Sequence, residues 1–143
     1  MSIKQLSVFA GNNKGSLADV TSALADAGID LMAMTVADTQ DYGILRIIVK
    51  DTQLAADVLH KNGYISSATD VVAVSIPNQT GGLAKVLRLL SEKDISVEYS
   101  YSFCYSADSN AYIVLRVTDN AETEKCLSEN GIVVANADTI NNL

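Results

Sequence analysis

The sequence predicts an α+β fold built from two ferredoxin-like βαββαβ domains, each an antiparallel four-stranded sheet with two helices on one face. Two observations lead to this prediction. The chain contains an internal repeat, in which GNNKGSLADVTSAL at 11–24 aligns with PNQTGGLAKVLRLL at 77–90. In addition, both copies show the same order of hydrophobic patterns: strand, helix, strand, strand, helix, strand. That order is typical of the split βαβ, ferredoxin-like arrangement.

The repeat extends over both halves of the chain. Beyond the first pair of segments, the alignment contains a short insertion between ADTQDYG and YSADSNA. A turn between two strands is predicted there, and an insertion is best tolerated in such a turn. We therefore predict two domains, 1–69 and 70–143. The aligned pairs include Asn12 with Asn78, Gly15 with Gly81, Leu17 with Leu83, Val49 with Val117, Asp51 with Asp119, and Gly63 with Gly131.

The elements of the first copy follow from residue spacing. Leu17, Val20 and Leu24 recur every three or four residues, which predicts a helix with one buried face. Gly28 is suited to end that helix, and Asp51 to cap the next one. The predicted elements are a strand around Leu6 and Val8, a helix over 16–27, strands over 29–37 and 44–50, a helix over 52–62, and a strand over 64–68.

The second copy repeats this order with little linker between the two. A domain of about 70 residues is marginally stable alone, so we expect the two domains to pair through exposed sheet edges. The predicted elements are a strand over 71–77, a helix over 83–93, strands over 95–105 and 111–118, a helix over 120–130, and a strand over 132–136.

Composition restricts the possible functions. Of the 143 residues, 48% are hydrophobic, so the chain can bury a core. Its formal net charge of −7 argues against binding to nucleic acid or to an anionic membrane, since both need a basic surface. The sequence shows neither a leader-like apolar run at its start nor the run of about 18 apolar residues that a membrane span needs. A cytoplasmic protein is expected.

No set of residues in the sequence predicts catalysis, a metal site or a cofactor site. Cys104 and Cys126 belong to no metal-binding or redox motif, and Cys126 lies on the apolar side of a predicted helix, as a buried thiol would. His60 is predicted to be a surface helix residue. The acidic pair Glu122 and Glu124 falls at a helix start, where it favours the helix dipole.

The two glycine-containing loops are the candidate binding sites. The plain interpretation is that a tight turn before a helix needs glycine. However, each loop is N-x-x-G-x-L at a strand-to-helix junction, where unsatisfied N–H groups suit a carboxylate or phosphate. The Walker pattern is absent, because Lys85 lies inside the predicted helix and Asp19 takes its place in the first copy. Backbone amides plus an Asn side chain predict an amino-acid clamp.

The second strand of each copy is the other candidate. In VEYSYSFCY, Val97, Tyr99, Tyr101, Phe103 and Tyr105 alternate with polar residues, which predicts that they share one face. Such a row is typical of a core or interface. The functional alternative is that Tyr99 or Tyr101 forms the wall of a ligand pocket between domains. In the first copy, Met32 and Met34 have the same two alternatives, gap-filling or ligand contact.

Each half of the chain resembles an ACT domain. The resemblance lies in the strand, the N-x-x-G-x-L loop, the apolar helix and the following GIDLMAM or DISVEYSY, and the whole chain is similar to free-standing tandem ACT proteins of bacteria. It implies amino-acid binding where the first loop of one domain meets the second strand of its neighbour. The implied site residues are Asn12, Asn13, Lys14, Gly15, Ser16, Leu17 and Met34, with Asn78, Gln79, Thr80, Gly81, Gly82, Leu83, Tyr99 and Tyr101.

These observations predict a non-catalytic sensor of a free amino acid. It would act as a homodimer, or through an enzyme or regulator of amino-acid metabolism. Two alternatives stay open. A structural dimerisation module would use the same strand edges without a ligand. An acylphosphatase-like enzyme would need an arginine in the first loop, but Arg46, Arg88 and Arg116 lie on predicted strands or a helix.

Overall fold

A computed structural model of the chain describes residues 2–38, 42–104 and 109–143. The chain divides into two compact units. The first unit is Lys4–Thr69, and the second is Asp70–Leu143 together with the start of the chain up to Ile3. In the second unit, the Ser2 hydroxyl donates to Glu124 Oε1 at 3.1 Å and accepts from Asn120 Nδ2 at 3.2 Å.

The first unit has the predicted βαββαβ order. Its sheet order is β2-β3-β1-β4, and the β1–β3 and β2–β3 pairs are antiparallel. Alternate residues of β1 and β3 form one core with both helices, which places the two helices on one face of the sheet. The elements are β1 (Ile3–Gly11), α1 (Ser16–Asp26), β2 (Ala33–Asp38), β3 (Tyr42–Ile48), α2 (Thr52–Lys61) and the first part of β4 (Ile65–Pro77).

The second unit has the same arrangement. Its strand order is β5-β6-β4-β7, again with antiparallel neighbours and with both long helices packed on one core. The α+β prediction of two ferredoxin-like repeats is confirmed. The elements are the rest of β4, α3 (Gly82–Glu92), β5 (Val97–Ser102), β6 (Asn110–Val117), α4 (Asn120–Glu129), β7 (Val133–Ala135) and α5 (Ala137–Asn141).

The second strand of the first unit begins later than its apolar pattern predicts. β2 starts at Ala33, whereas the pattern begins at Ile29. The Ile29 N–H donates to the Leu24 carbonyl at 3.0 Å, which completes the end of α1. Gly28 has a φ of 74°, the left-handed conformation that such a helix end requires. Ile29 is therefore the hydrophobic contact that closes the helix. The alternation of Ile29 and Leu31 with polar residues does not come from a strand.

The equivalent helix end in the second unit uses an aspartate. Asp94, at the position of Gly28 in the repeat, has a φ of 58°. Asp tolerates this conformation better than most residues. The Ile95 N–H donates to the Leu90 carbonyl at 2.9 Å, so β5 begins only at Val97. The backbone geometry is thus repeated although the glycine is not.

Two further elements differ from the prediction. The strands predicted over 64–68 and 71–77 are parts of one continuous strand, β4. The short helix α5 was not predicted, because its segment is mostly polar; the Asn136 side chain caps it by accepting from the Thr139 N–H at 2.8 Å. The predictions for Cys126, which is buried, and for His60, which is exposed at the end of α2, are confirmed.

Each unit has a helix whose first turn depends on an aspartate cap. Asp51 accepts from the Leu54 N–H and Asp119 from the Glu122 N–H, both at 2.9 Å. We expect Asp51→Ala and Asp119→Ala each to lower the free energy of unfolding by about 1 kcal/mol, since an unsatisfied N–H remains at the helix start. Urea unfolding measures this. Asp30→Ala, an exposed change outside the helices, is the control, and an equal loss there would contradict the capping role.

Candidate functional site

The two candidate loops share one backbone conformation. Gly15 has φ 86° and ψ −5°, and Gly81 has φ 84° and ψ −1°. Each glycine is the N-cap of its helix and occupies the left-handed region, which other residues rarely adopt. Neither helix start has a side-chain cap hydrogen bond. The glycines are therefore required by the turn, and this shared geometry is what the repeat preserves.

Both loops lead into a helix start with available N–H groups. The first intrahelical bonds run from the Asp19 N–H to the Gly15 carbonyl at 2.9 Å and from the Lys85 N–H to the Gly81 carbonyl at 3.0 Å. Of the N–H groups before them, those of Ser16 and Gly82 donate to the Asn13 and Gln79 carbonyls at 3.1 Å. The next two in each helix have no acceptor within the helix and lie at the positive end of the helix dipole. Most loop residues are exposed, with Ser16, Gly82 and Leu83 half-buried. These donors suit an anionic group of a ligand.

The interiors of the two loops differ. In the first loop, the Asn13 N–H donates to the Ser16 hydroxyl oxygen at 3.3 Å. In the second loop, Gly82 replaces that serine, and the Gln79 N–H donates to the Pro77 carbonyl at 2.9 Å instead. A Cβ atom on Gly82 would lie 2.8 Å from the same carbonyl oxygen. The second loop is thus closed in a way that leaves no room for a side chain at its helix start.

The two asparagines that align in the repeat also have different surroundings. Asn12 Nδ2 donates to Asp38 Oδ1 at 2.8 Å, which holds the first loop against the end of β2. The backbone N–H of Asn78 donates to the Ser109 carbonyl at 2.7 Å, which holds the second loop against the start of β6. The predicted clamp uses the Asn side chain as a ligand contact. In the first loop, one donor of that side chain is instead engaged in positioning the loop.

The edge strand β5 contains a bulge that its alternating pattern does not reveal. Val97 pairs with Val117 and Tyr99 with Arg116, so two steps along β5 match one step along β6. Because Val117 and Arg116 face opposite sides of the sheet, Val97 and Tyr99 do so as well. Val97 packs on the helix-covered core, whereas Tyr101 pairs with Val114 on the other face. The prediction that Val97 shares a face with the tyrosines is wrong.

The tyrosines themselves lie together. The rings of Tyr99 and Tyr101 are stacked, with centroids 6.4 Å apart and planes inclined by 20°. Tyr101 is buried and Tyr99 half-buried, and Tyr99 borders a cavity of about 500 Å³ between the end of α3 and β5. Tyr105 falls outside the described residues. A ligand contact by either of the first two tyrosines stays a prediction.

The aliphatic candidates have packing roles. Met34 is half-buried and packs against the core of the first unit, as a gap-filling residue does. Leu83 packs in the same way against the core of the second unit. Leu17 is 43% exposed, so its side chain is accessible beside the first loop. A ligand contact by any of the three also stays a prediction.

A cavity that the sequence patterns did not indicate lies beside the second loop, within the second unit. It has a volume of about 310 Å³, and a smaller cavity of about 260 Å³ shares three of its lining residues, Lys85, Asn130 and Ile132. We call the two together the α3 groove. Its walls are α3, the end of β4 and the turn from α4 to β7. The lining includes Ile76, Gln79, Gly82, Lys85, Val86, Arg88, Glu92, Asn130 and Ile132.

The sequence patterns missed this groove because its two walls are distant in the chain. Gln79 and Gly82 belong to the predicted loop, but Asn130 and Ile132 lie near the end of the second repeat. The sheet order places the unit's last strand, β7, beside its first, β4, with Val74 paired to Val134. The closeness of the two walls of the groove follows from this strand order alone, since the ferredoxin-like motif always brings these strands together.

Two structural features are absent from the described part of the chain. In residues 2–38, 42–104 and 109–143, no group of three or more His, Cys, Asp or Glu side chains is placed to hold a metal ion. None of the helices in the same ranges is long and apolar enough to cross a membrane.

The fold and the loops define a tandem pair of small α+β domains, each with a glycine-started helix after its first strand. The family model for the ACT domain pair matches residues 1–142, and the chain belongs to this family. The resemblance seen in the sequence is thereby confirmed. No curated protein sequence matches the chain significantly.

Several solved structures share the fold of this chain. Protein BT0572 from Bacteroides thetaiotaomicron is 38% identical, with a TM-score of 0.91, over 100% of this chain and 98% of that chain. The regulatory subunit of aspartate kinase from Thermus thermophilus, in a ligand-free form, is 15% identical, with a TM-score of 0.66, over 88% and 90%. The corresponding subunit from Thermus flavus is 16% identical, with a TM-score of 0.61, over 99% and 93%.

Proposed function

We propose that this protein is a non-catalytic regulatory protein that binds a small molecule, a free amino acid, at its two glycine loops. The observation that carries the proposal is the shared conformation of Gly15 and Gly81, which presents an exposed helix start in each unit. The same turn, which is compatible with an anion, occurs twice. A ligand-binding role explains this repetition better than a requirement for a tight turn does.

The regulatory part of the proposal is supported by the similar structures. The two Thermus proteins are regulatory subunits of aspartate kinase. By extension, we propose that this chain regulates an enzyme or regulator of amino-acid metabolism in the cytoplasm according to whether its ligand site is occupied. A ligand shifts such an equilibrium only by its difference in affinity for the two states.

The proposed assembly is a homodimer that pairs through sheet edges. β2 lies at one end of the strand order in the first unit and β5 at one end of that in the second, and an end strand has unpaired N–H and C=O groups. In keeping with the family resemblance, we propose that the second strand of a neighbouring domain, with Tyr99, Tyr101 or Met34, completes each loop site. The proposed domain limits remain 1–69 and 70–143.

Thermal-shift measurements with each of the twenty amino acids test this function. At a ligand concentration of 100 times Kd, the true ligand is expected to add about 2.7 kcal/mol to the free energy of unfolding. If none of the twenty raises the melting temperature while the chain is dimeric by light scattering, the protein is a structural dimerisation module and the proposal fails.

Variants of the first loop refine that test. Asn12→Ala is expected to weaken the ligand-induced shift if Asn12 contacts the ligand. Asp38→Ala is the matched control, because it removes the same 2.8 Å hydrogen bond and leaves the asparagine in place. Equal losses in both variants would show that Asn12 acts only by positioning the loop.

A further inference from the structure

The α3 groove combines an apolar floor with two cations that have no ion-pair partner. Ile76 and Val86 are buried residues of the second core, and Ile132 packs against the same core. Lys85 and Arg88 are exposed, and neither makes an ion pair within the described part of the chain. Two neighbouring unpaired cations stand out on a chain of net charge −7.

The placement of these charges along α3 is directional. Lys85 and Arg88 are three residues apart and Glu92 is four residues further, so all three lie on one side of the helix. Lys85 is near the helix start, Arg88 follows just past the middle, and the carboxylate of Glu92 is at the last residue of the helix. An ammonium group of a ligand suits the end with Glu92, and an acid group suits the end with the cations.

The first unit lacks this chemistry. In the repeat alignment, Asp19 stands at the position of Lys85, Ser22 at that of Arg88, and Asp26 at that of Glu92. Tyr64 stands at the position of Ile132 and packs against the core of the first unit. An aspartate replaces Lys85 and a serine replaces Arg88, so the equivalent helix side is negative. The cationic side chains that suit an acid on this side of the helix are therefore present in the second unit and not in the first.

We propose that the α3 groove binds one small carboxylate with an aliphatic body, an aliphatic amino acid in its plainest form. Lys85 and Arg88 hold the carboxylate, Glu92 faces the ammonium group, and Ile76, Val86 and Ile132 contact the side chain. This inference rests on the proposed function. It names the chemical class of the ligand and places the binding site within one unit. The cavity of about 310 Å³, which Ile76, Val86 and Ile132 line, is at the lower end of the range for ligand pockets, about 300–1,000 Å³, and Arg88 and Glu92 line the adjoining cavity of about 260 Å³.

Calorimetric titration of the full chain tests the groove. The ligands are L-valine, L-leucine, L-isoleucine and L-methionine, each titrated separately, with isoamylamine as the analogue of leucine that lacks the carboxylate. We expect at least one amino acid to bind and isoamylamine to bind at least tenfold more weakly than leucine, or not at all. In Lys85→Gln/Arg88→Gln, the Kd of the bound amino acid is expected to rise at least tenfold.

Two further variants serve as comparisons. Lys50→Gln/Lys61→Gln removes the same net charge from exposed positions in the first unit and is expected to change Kd less than twofold. Ile132→Tyr introduces the residue type of the first unit into the groove and is expected to abolish binding. Its melting temperature without ligand shows whether the variant is folded.

The outcomes separate this inference from the proposed function. If an amino acid binds with the same Kd in Lys85→Gln/Arg88→Gln as in the unchanged chain, the inference is wrong and the proposed function stands. Binding of isoamylamine as tight as that of leucine also overturns it. If inorganic phosphate binds through Lys85 and Arg88 and none of the four amino acids does, the groove holds a phosphate and the carboxylate assignment is wrong. No binding by any of these ligands overturns the inference as well.

Discussion

Leu90→Ala is expected to lower the free energy of unfolding by about 2–5 kcal/mol, because it leaves a cavity where α3 packs on the sheet. Leu90 has no exposed surface and belongs to the core of the second unit. Its N-terminal neighbour in that core, Val86, lies one helical turn away and lines the α3 groove. Equilibrium unfolding in urea, followed by circular dichroism, measures the loss.

The repeat provides a matched substitution. Leu24 occupies the position of Leu90 in the first unit and is equally buried in that unit's core. Leu24→Ala is therefore expected to cost a similar amount, and Leu54→Ala, at a residue that is 45% exposed, much less. If Leu90→Ala cost no more than Leu54→Ala, the second core would not be packed as described.

Gly82→Ala is expected to abolish binding of an amino acid at the second loop. The added Cβ would lie 2.8 Å from the Pro77 carbonyl oxygen, a backbone atom, so the loop has to move. With the amino acid at 100 times Kd, the part of the stabilisation that the second loop contributes, about 2.7 kcal/mol for one site, is expected to disappear. The measurement is the ligand-induced shift in melting temperature, compared between the variant and the unchanged chain.

The control for this change is Gly43→Ala in β3. A Cβ at Gly43 would approach its neighbours no closer than 3.9 Å, which is ordinary contact. The control is expected to keep the full ligand-induced shift. A Gly82→Ala variant that also kept it would place the ligand away from this loop, and both the second-loop site and the α3 groove would then have to be abandoned.

The repeat made most of the fold predictable. Because 11–24 aligns with 77–90, each hydrophobic pattern occurs twice, and the two copies support one element order. Helix limits were accurate because capping groups, such as Asp51, are local features of the sequence. Strand starts were less accurate, because alternation alone does not distinguish a residue that closes a helix, such as Ile29, from one in a strand.

The candidate site was predictable only where it is local. The loop glycines were found because a left-handed turn before a helix depends on residues next to each other in the chain. The contact of Asn12 with Asp38 and the position of Ile132 beside Lys85 depend on strand order, so no local pattern contains them. The bulge in β5 was also missed, because the same alternating residues fit a regular strand and a bulged one.

That bulge has a consequence for solubility and self-association. A bulged edge is a poor template for a further strand, and natural sheets use such irregularities to prevent aggregation. Glu98, at the bulge in β5, is charged and lies 3.6 Å from the Arg116 guanidinium. By contrast, β2 keeps a regular register with β3 from Ala33 to Asp38. The chain thus has a bulged, charged edge at β5 and a geometrically regular edge at β2, so uncontrolled strand addition is expected to be less frequent at β5 than at β2.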